Sequence, residues 1–568
     1  MDKAVPTALP DRPPNGEGQR RSPDFHPSLW GDFFLNYEPP SKSQHACMKL
    51  RAEMLREEVR TIIKSSKEVP KILDLILAIQ RLGLDIYYKN EINDLLHFVY
   101  SSDYNDKDLN LVSLRFYLLR KNGYNISSGV FLCFKDNEGN FAVDDTRSLL
   151  SLYNAAALRV HGERVLDEAA TFSINRLKRV FEPSGSMLSM EVLLAIEEPI
   201  FRRARIVEMR NYIPIYEIDA TRNETILEFA KLNFNLLQLL YCGELNNITL
   251  WWKELKSKSN LSFSRDRIVE MYFWMNGALY EPHYSHSRII LTRVTAIMTI
   301  IDDIFDTYGT TGESMLLAEA INRSFSWDES AIGLLPEYIK GFYAYLLNTF
   351  DSFEEELGHE KRYRVSYLKE LLKQLVQAYT KELKWRDDNY MPKTLDEHFE
   401  VSMRSSGGFT LAGASFVGMD DIETKDILEW LLSYPSLFKS FDRFVRLSND
   451  IVSNKREQTG DHYASTIQCY MKEHGTTIDD TCRKLKELIE DSWKDMIEHC
   501  TNPTYEQPLI VPQTVVNFAR TVTTMYRHGD AFTSSHTIKE MIASLYVVPI
   551  QDGKVWGIQK IDNKDNLR

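Results

Sequence analysis

The sequence predicts an all-α protein of two helical domains. Three observations carry that expectation. Apolar residues recur at helical spacing along most of the chain, no useful stretch alternates with the period of two that a half-buried strand needs, and helix formers dominate the 568 residues. A chain this long exceeds what one hydrophobic core usually serves. Pro199, Pro214 and the polar run Asp219 to Glu224 suggest the boundary, so 1–19 reads as a Pro-rich tail, 20–220 as the first domain and 221–568 as the second.

Composition removes several function classes. Lys plus Arg is 68 against 81 Asp plus Glu, a formal charge of −13, which disfavours a nucleic-acid partner because phosphate binding needs a basic surface. No apolar run reaches the length of a membrane span; even Ile289 to Ile301 is interrupted by Thr292, Arg293 and Thr295. Six cysteines without CxxC spacing indicate neither a zinc site nor a disulfide framework. The first nineteen residues lack both a secretory apolar core and the acid-poor pattern of a transit peptide, so the cytoplasm is the expected compartment, with the Asn-X-Ser/Thr sites unmodified; separately, a monomer is expected.

In chain order, Arg20-Arg21 and Trp30 lie in a proline-punctuated segment that either crosses another surface or simply buries the tryptophan. From Gln44 to about Tyr212, amphipathic segments such as Ile72 to Leu82 and Leu152 to Gly162 predict a helical bundle or barrel with little catalytic content. His161 has no second ligand at metal spacing and reads as a helix-end residue. The second domain opens with the helical pattern from Ile226. Arg265 and Arg267 then stand where a helix begins, a place that favours anions, followed by the aromatic run Tyr272, Phe273 and Trp274; phosphate recognition and an ordinary surface pair are both open readings. His283 and His286 lack a third ligand and are expected to be structural.

Ile297 to Gly309 carries the chemistry. Asp302 and Asp306 sit one helical turn apart with Asp303 beside them, at the helix end where carboxylates meet the negative dipole and one another. Such a group calls for a hard divalent cation, and Gly309 supplies a helix stop; the competing reading is a solvated acidic end. Downstream, Glu382 is a candidate supporting acid, and Gly407-Gly408 predicts a helix break. Asn449, Ser453 and Glu457 then recur at i, i+4, i+8, stacking an amide, a hydroxyl and a carboxylate on one stripe, with Arg446 one turn earlier. Two such helices facing each other could clamp a polyphosphate through metal ions.

Together these residues resemble a plant terpene synthase, most nearly a sesquiterpene synthase. Asp302-Asp303-Ile-Phe-Asp306 is similar to that family's DDxxD motif, Asn449 to Glu457 to its second metal motif, Arg265-Asp-Arg267 to its RxR, and Arg21 with Trp30 to its Rx₈W, over a similarity running from about Arg20 to the C-terminal end. The resemblance implies an α-barrel-like N-terminal scaffold and a C-terminal class I terpenoid synthase bundle. It implies about three Mg²⁺ per site, or Mn²⁺, on Asp302, Asp303, Asp306, Asn449, Ser453 and Glu457. It also implies diphosphate contacts from Arg265, Arg267 and Arg446. Tyr526 to Asp530 resembles the family's lid loop, although Ala531 stands where Gly is more usual. No DxDD acid motif occurs, so the first domain should be a scaffold. The reaction implied is loss of diphosphate from a prenyl diphosphate and cyclisation of the allylic cation, with Trp274 and Tyr526 stabilising positive charge through their π faces. Absence of a plastid signal favours farnesyl diphosphate over the geranyl or geranylgeranyl substrates. A non-catalytic isoprenoid-binding protein is the alternative of another class.

Overall fold

A computed structural model of the chain describes residues 25–550, apart from 103–106, 144, 183, 324–326, 328, 421–423, 458–464, 503 and 506. The N-terminal tail, Arg20 and Arg21 lie outside the described residues. Those described form helices and connecting turns; the one β feature among them is the isolated bridge Lys135 to Phe141.

The first helix, Lys42–Ser65, starts in a reciprocal cap. Ser41 Oγ accepts from the Gln44 amide while Gln44 Oε1 accepts from that of Ser41, which satisfies two orphan donors. Its inner face is Met48, Leu55, Val59 and Ile63, and Arg51 reaches Glu228 at 2.7 Å to hold it along the later helix Glu224–Lys258. The expected Ile72 segment is the helix Val69–Arg81, with Pro70 in its first turn where the missing N–H costs nothing. The Leu152 segment is Thr146–Ala156, capped by Asp145.

Pro214 does not mark the boundary. It lies inside the helix Arg205–Glu217, and the break comes at 218–223, where Asn223 accepts from the Ile226 amide and starts the 35-residue helix Glu224–Lys258. Nor do the two halves keep separate cores. One apolar cluster runs continuously from Trp30 to Ile550, and Trp493 of the helix Ile478–Thr501 packs edge-on against Phe201, with ring centroids 6.2 Å apart.

Seven helices of the second half contribute residues to a cavity. They are Ile268–Ala278, Ser285–Asp303, Arg364–Asp387, Leu395–Ser405 with Gly408–Ser415, Ser436–Glu457 and Ile510–Tyr526. Ser285–Asp303 is buried around nearly its whole circumference, as a central helix should be. The predicted break at Gly407-Gly408 is present: Gly407 adopts φ +76° and separates Leu395–Ser405 from Gly408–Ser415. Gly309 ends the aspartate helix as expected, but not through a left-handed turn. Its φ is −73°, and a Cβ there would come within 2.7 Å of the Ile304 carbonyl oxygen.

Candidate active site

The aspartate helix does not end as a plain α-helix. From Ile304 to Tyr308 it widens into a π turn, a feature frequent at functional sites, closed by the Gly309 amide on the Ile304 carbonyl at 2.8 Å. Asp302 and Asp306 both line the cavity, whose volume is about 280 Å³. Arg446, Asn449 and Asp450, on the helix Ser436–Glu457, line the same cavity, so the two distant polar stretches converge on one space.

Asp303 does not join its neighbours. It is 1% exposed and turned away from the cavity, where it accepts from Ser264 Oγ at 2.9 Å and the Arg265 amide at 2.8 Å, and pairs with Arg265 Nε at 2.7 Å. The expectation of Asp303 as a metal ligand is corrected on that geometry, because both its oxygens already have protein partners. The same arginine gives Nη2 to Asp302 Oδ2 at 2.5 Å. Burial works against the Arg265 charge, but Asp303, Asp302 and Asp306 outweigh it and hold the guanidinium above the ordinary arginine value. Arg265 is therefore the internal counter-ion at the unfavourable end of the helix dipole.

Arg267 is also corrected. Although only two residues away, it is fully buried and does not line the cavity. The chain turns at Arg267, the N-cap of Ile268–Ala278, and its guanidinium donates to the carbonyls of His26 at 2.9 Å and Thr533 at 3.3 Å. It ties the leading segment to the loop after Ile510–Tyr526 instead of facing a phosphate. The same segment lies across the second half, since the Trp30 indole donates to Glu270 Oε1 at 3.1 Å.

On the other wall, Arg446 Nη2 donates to Asn449 Oδ1 at 2.5 Å and is ion-paired with Asp450. Ser453 is buried on the same helix; Glu457 is its last residue, with a side chain outside the described residues. Trp274 and Tyr526 line the cavity as an edge-to-face pair, centroids 5.9 Å apart, and Phe532 makes a second such contact with Trp274. Asp530 Oδ1 accepts from the Phe532 and Thr533 amides at 3.1 and 3.0 Å, shaping the loop that closes this side, while Ala531 is buried with its amide on the Met525 carbonyl.

Sequence reasoning missed four contributors. Tyr379 and Arg386 flank Glu382 at i−3 and i+4, a spacing that did hold the signal. Burial, followed by the carboxylates of Asp302 and Asp306, pushes the Tyr379 phenol well up, and burial raises Glu382 to about 7 although Ser405 Oγ donates to it at 2.6 Å. Asp450 accepts from the Thr466 amide at 3.0 Å, and Thr466 Oγ1 meets His398 Nε2 at 3.1 Å. Burial drives His398 down to about 4, so it sits neutral in the cavity wall. His161 and His286 are surface partners of Asp495 and Glu356, as structural residues should be.

Five acids, Asp302, Asp306, Glu382, Asp450 and Asp530, line the cavity against three arginines, 265, 386 and 446. Among the described residues no three carboxylate, imidazole or thiol groups converge tightly enough to hold an ion alone. An acid excess with hard oxygen donors but no closed cage suits a divalent cation that completes its shell with substrate phosphate and water. The donor set therefore fits Mg²⁺.

A family model described as terpene synthase family, metal binding domain, matches residues 253–495, and one described as terpene synthase, N-terminal domain, matches 29–196. The chain is 63% identical over 533 residues to a beta-sesquiphellandrene synthase of Sorghum bicolor, covering 94% of this chain and 97% of that one. It is 59% identical over 549 residues to an (S)-beta-macrocarpene synthase of Zea mays, covering 96% and 100%. Among solved structures, isoprene synthase from grey poplar leaves, in complex with three Mg²⁺ ions and dimethylallyl-S-thiolodiphosphate, superposes with a TM-score of 0.84 at 30% identity, over 89% of this chain and 98% of that one. Fold, cavity and relatives agree: this chain belongs to the terpene synthase family.

Proposed function

We propose that the protein is a cytoplasmic sesquiterpene synthase that ionises farnesyl diphosphate and cyclises the resulting cation. The observation that carries the reading is the convergence of Asp302, Asp306 and Arg265 with Arg446 and Asn449 on one cavity. Relatives at about 60% identity named as sesquiterpene synthases support the C15 substrate. Mg²⁺, three ions by analogy with the poplar complex, would be held by Asp302 and Asp306 and by Asn449, Ser453 and Glu457, and would supply Lewis-acid stabilisation of the leaving diphosphate.

The chain's own groups do the rest. Arg265 and Arg446 hold the released negative charge, which keeps it from recapturing the cation at once. Trp274 and Tyr526 offer π faces to the migrating positive charge, and neutral Tyr379 and His398 add no competing charge to the wall. The 530–533 loop, organised by Asp530 and anchored on Arg267, keeps water from a cation it would quench. Asp303 acts as a positioning residue by fixing Arg265. The first 220 residues serve as a scaffold.

Purified protein with Mg²⁺ and each of geranyl, farnesyl and geranylgeranyl diphosphate, analysed by gas chromatography with mass detection, tests this. Turnover of the C15 substrate, abolished by EDTA, is expected. Turnover of only the C10 or C20 substrate would overturn the sesquiterpene reading, and turnover that survives EDTA would overturn the metal assignment.

A further inference from the structure

The helix break at Gly407-Gly408 has two sides. Gly407 lines the cavity, where a Cβ would come within 2.9 Å of Met298 Cε on the aspartate helix. Gly408 faces the helix Ser436–Glu457, where a Cβ would lie 2.7 Å from Asp442 Oδ1, outside the cavity lining, and 3.1 Å from Cγ2 of the lining residue Val445. Asp442 is fully buried, one turn before Arg446 on the helix that also carries Asn449. Its Oδ2 accepts from the Tyr434 hydroxyl at 2.9 Å.

Tyr434 makes that bond from an unusual backbone state. Among the described residues only Asn389 and Tyr434 are non-glycine residues in the left-handed region, with φ of +48° and +54°. An aromatic residue there is strained and persists only where its surroundings over-determine it. They do: the Arg404 guanidinium covers its ring at 3.5 Å, and Phe409, the residue after Gly408, meets its edge at 5.0 Å. Burial raises the Asp442 carboxyl to about 8, while Tyr434 and Arg404 favour its charged form.

We propose that the Tyr434–Asp442 pair is a brace that sets the position of the Gly407-Gly408 break, and with it the wall against which the cation folds. Neither side chain lines the cavity, so both are positioning residues acting through Gly408. The proposal rests on the terpene synthase reading of that cavity. A polar pair that served stability alone would, when broken, reduce the amount of active enzyme. It would leave unchanged how each active molecule partitions its cation among products.

The test is therefore a product ratio. Wild type, Tyr434→Phe, Asp442→Asn and the double variant are incubated with Mg²⁺ and farnesyl diphosphate, and the ratio of principal to minor products is read with the melting temperature. Each single variant should shift the ratio about threefold or more, a small change in relative barrier heights. The double variant should match the larger single effect, because both act through one bond. Gly408→Ala, pressing on Asp442 from the other side, should also move the ratio. Unchanged ratios alongside a lowered melting temperature would overturn the brace alone. A wild type inactive on every prenyl diphosphate would overturn both the brace and the functional reading.

Discussion

The first half and the cavity wall of the second bury charge in opposite ways. In the first half, buried ions cancel locally. Arg81 gives Nε to Glu208 at 2.7 Å and also pairs with Glu191, the other oxygen of Glu208 takes Arg203 Nη1 at 2.7 Å, and the Arg81 guanidinium lies 3.5 Å over the Tyr212 ring. Arg120 likewise closes on Glu163 at 2.5 Å. Around the cavity of the second half the charges do not cancel, five acids standing against three arginines; burial pushes Tyr379 and Glu382 up, and Asp302 and Asp306 add to the rise at Tyr379. Burial of charge does not mark a reactive site by itself. What marks it is a field that local partners fail to neutralise, because that field is available to a ligand.

Breaking the second half should produce the largest effect. Asp302→Ala is expected to lower kcat by about 10³-fold or more, the scale of several kcal/mol of transition-state stabilisation, with the melting temperature little changed. Steady-state kinetics beside a thermal melt would show it; a near-normal kcat would end the assignment of Asp302.

The matching change in the first half should act on stability instead. Glu208→Ala leaves Arg81 and Arg203 buried without their shared anion, which costs about 3–5 kcal/mol in denaturant unfolding. The product ratio of the molecules that remain folded should be unaltered. A shifted ratio with unchanged stability would mean that the scaffold half reaches into the chemistry.

A third, smaller test sharpens the contrast within the second half. Asp442 ionises near its ordinary value of 3.8 when unfolded but at about 8 in the folded protein. The folded state therefore holds a proton that the unfolded state has lost. The stability it contributes is present below pH 4 and declines as pH rises toward 8. Between pH 5 and 7 wild type should lose roughly 2–3 kcal/mol more than Asp442→Asn, one proton's worth of slope. Parallel stability curves for the two proteins would show that Asp442 titrates normally.

Much of the site was legible because its signals are local. The i, i+4 spacing of Asp302 and Asp306, the place of Asn449 one turn after Arg446, and the break at Gly407 follow from the pitch of a helix and the freedom of a glycine. The same pitch could not say that the helix would widen at Ile304 or that Gly309 is needed for close approach to a carbonyl. Pro214 looked like a boundary because proline usually is one, yet packing carries Arg205–Glu217 through it.

Local periodicity and residue chemistry determined the helical class and the two acidic and polar stretches, and the resemblance of their motifs to known ones pointed to the family. Tertiary structure decided which neighbours part company: Asp302 faces the cavity while Asp303 is held by Ser264 and Arg265, and Arg265 faces it while Arg267 binds the carbonyls of His26 and Thr533. The reason is physical. Helical period is a property of adjacent residues, but the partner that satisfies a buried polar atom comes from wherever the folded chain brings it, and for Arg267 two of its three acceptor carbonyls lie more than two hundred residues away, one in each direction.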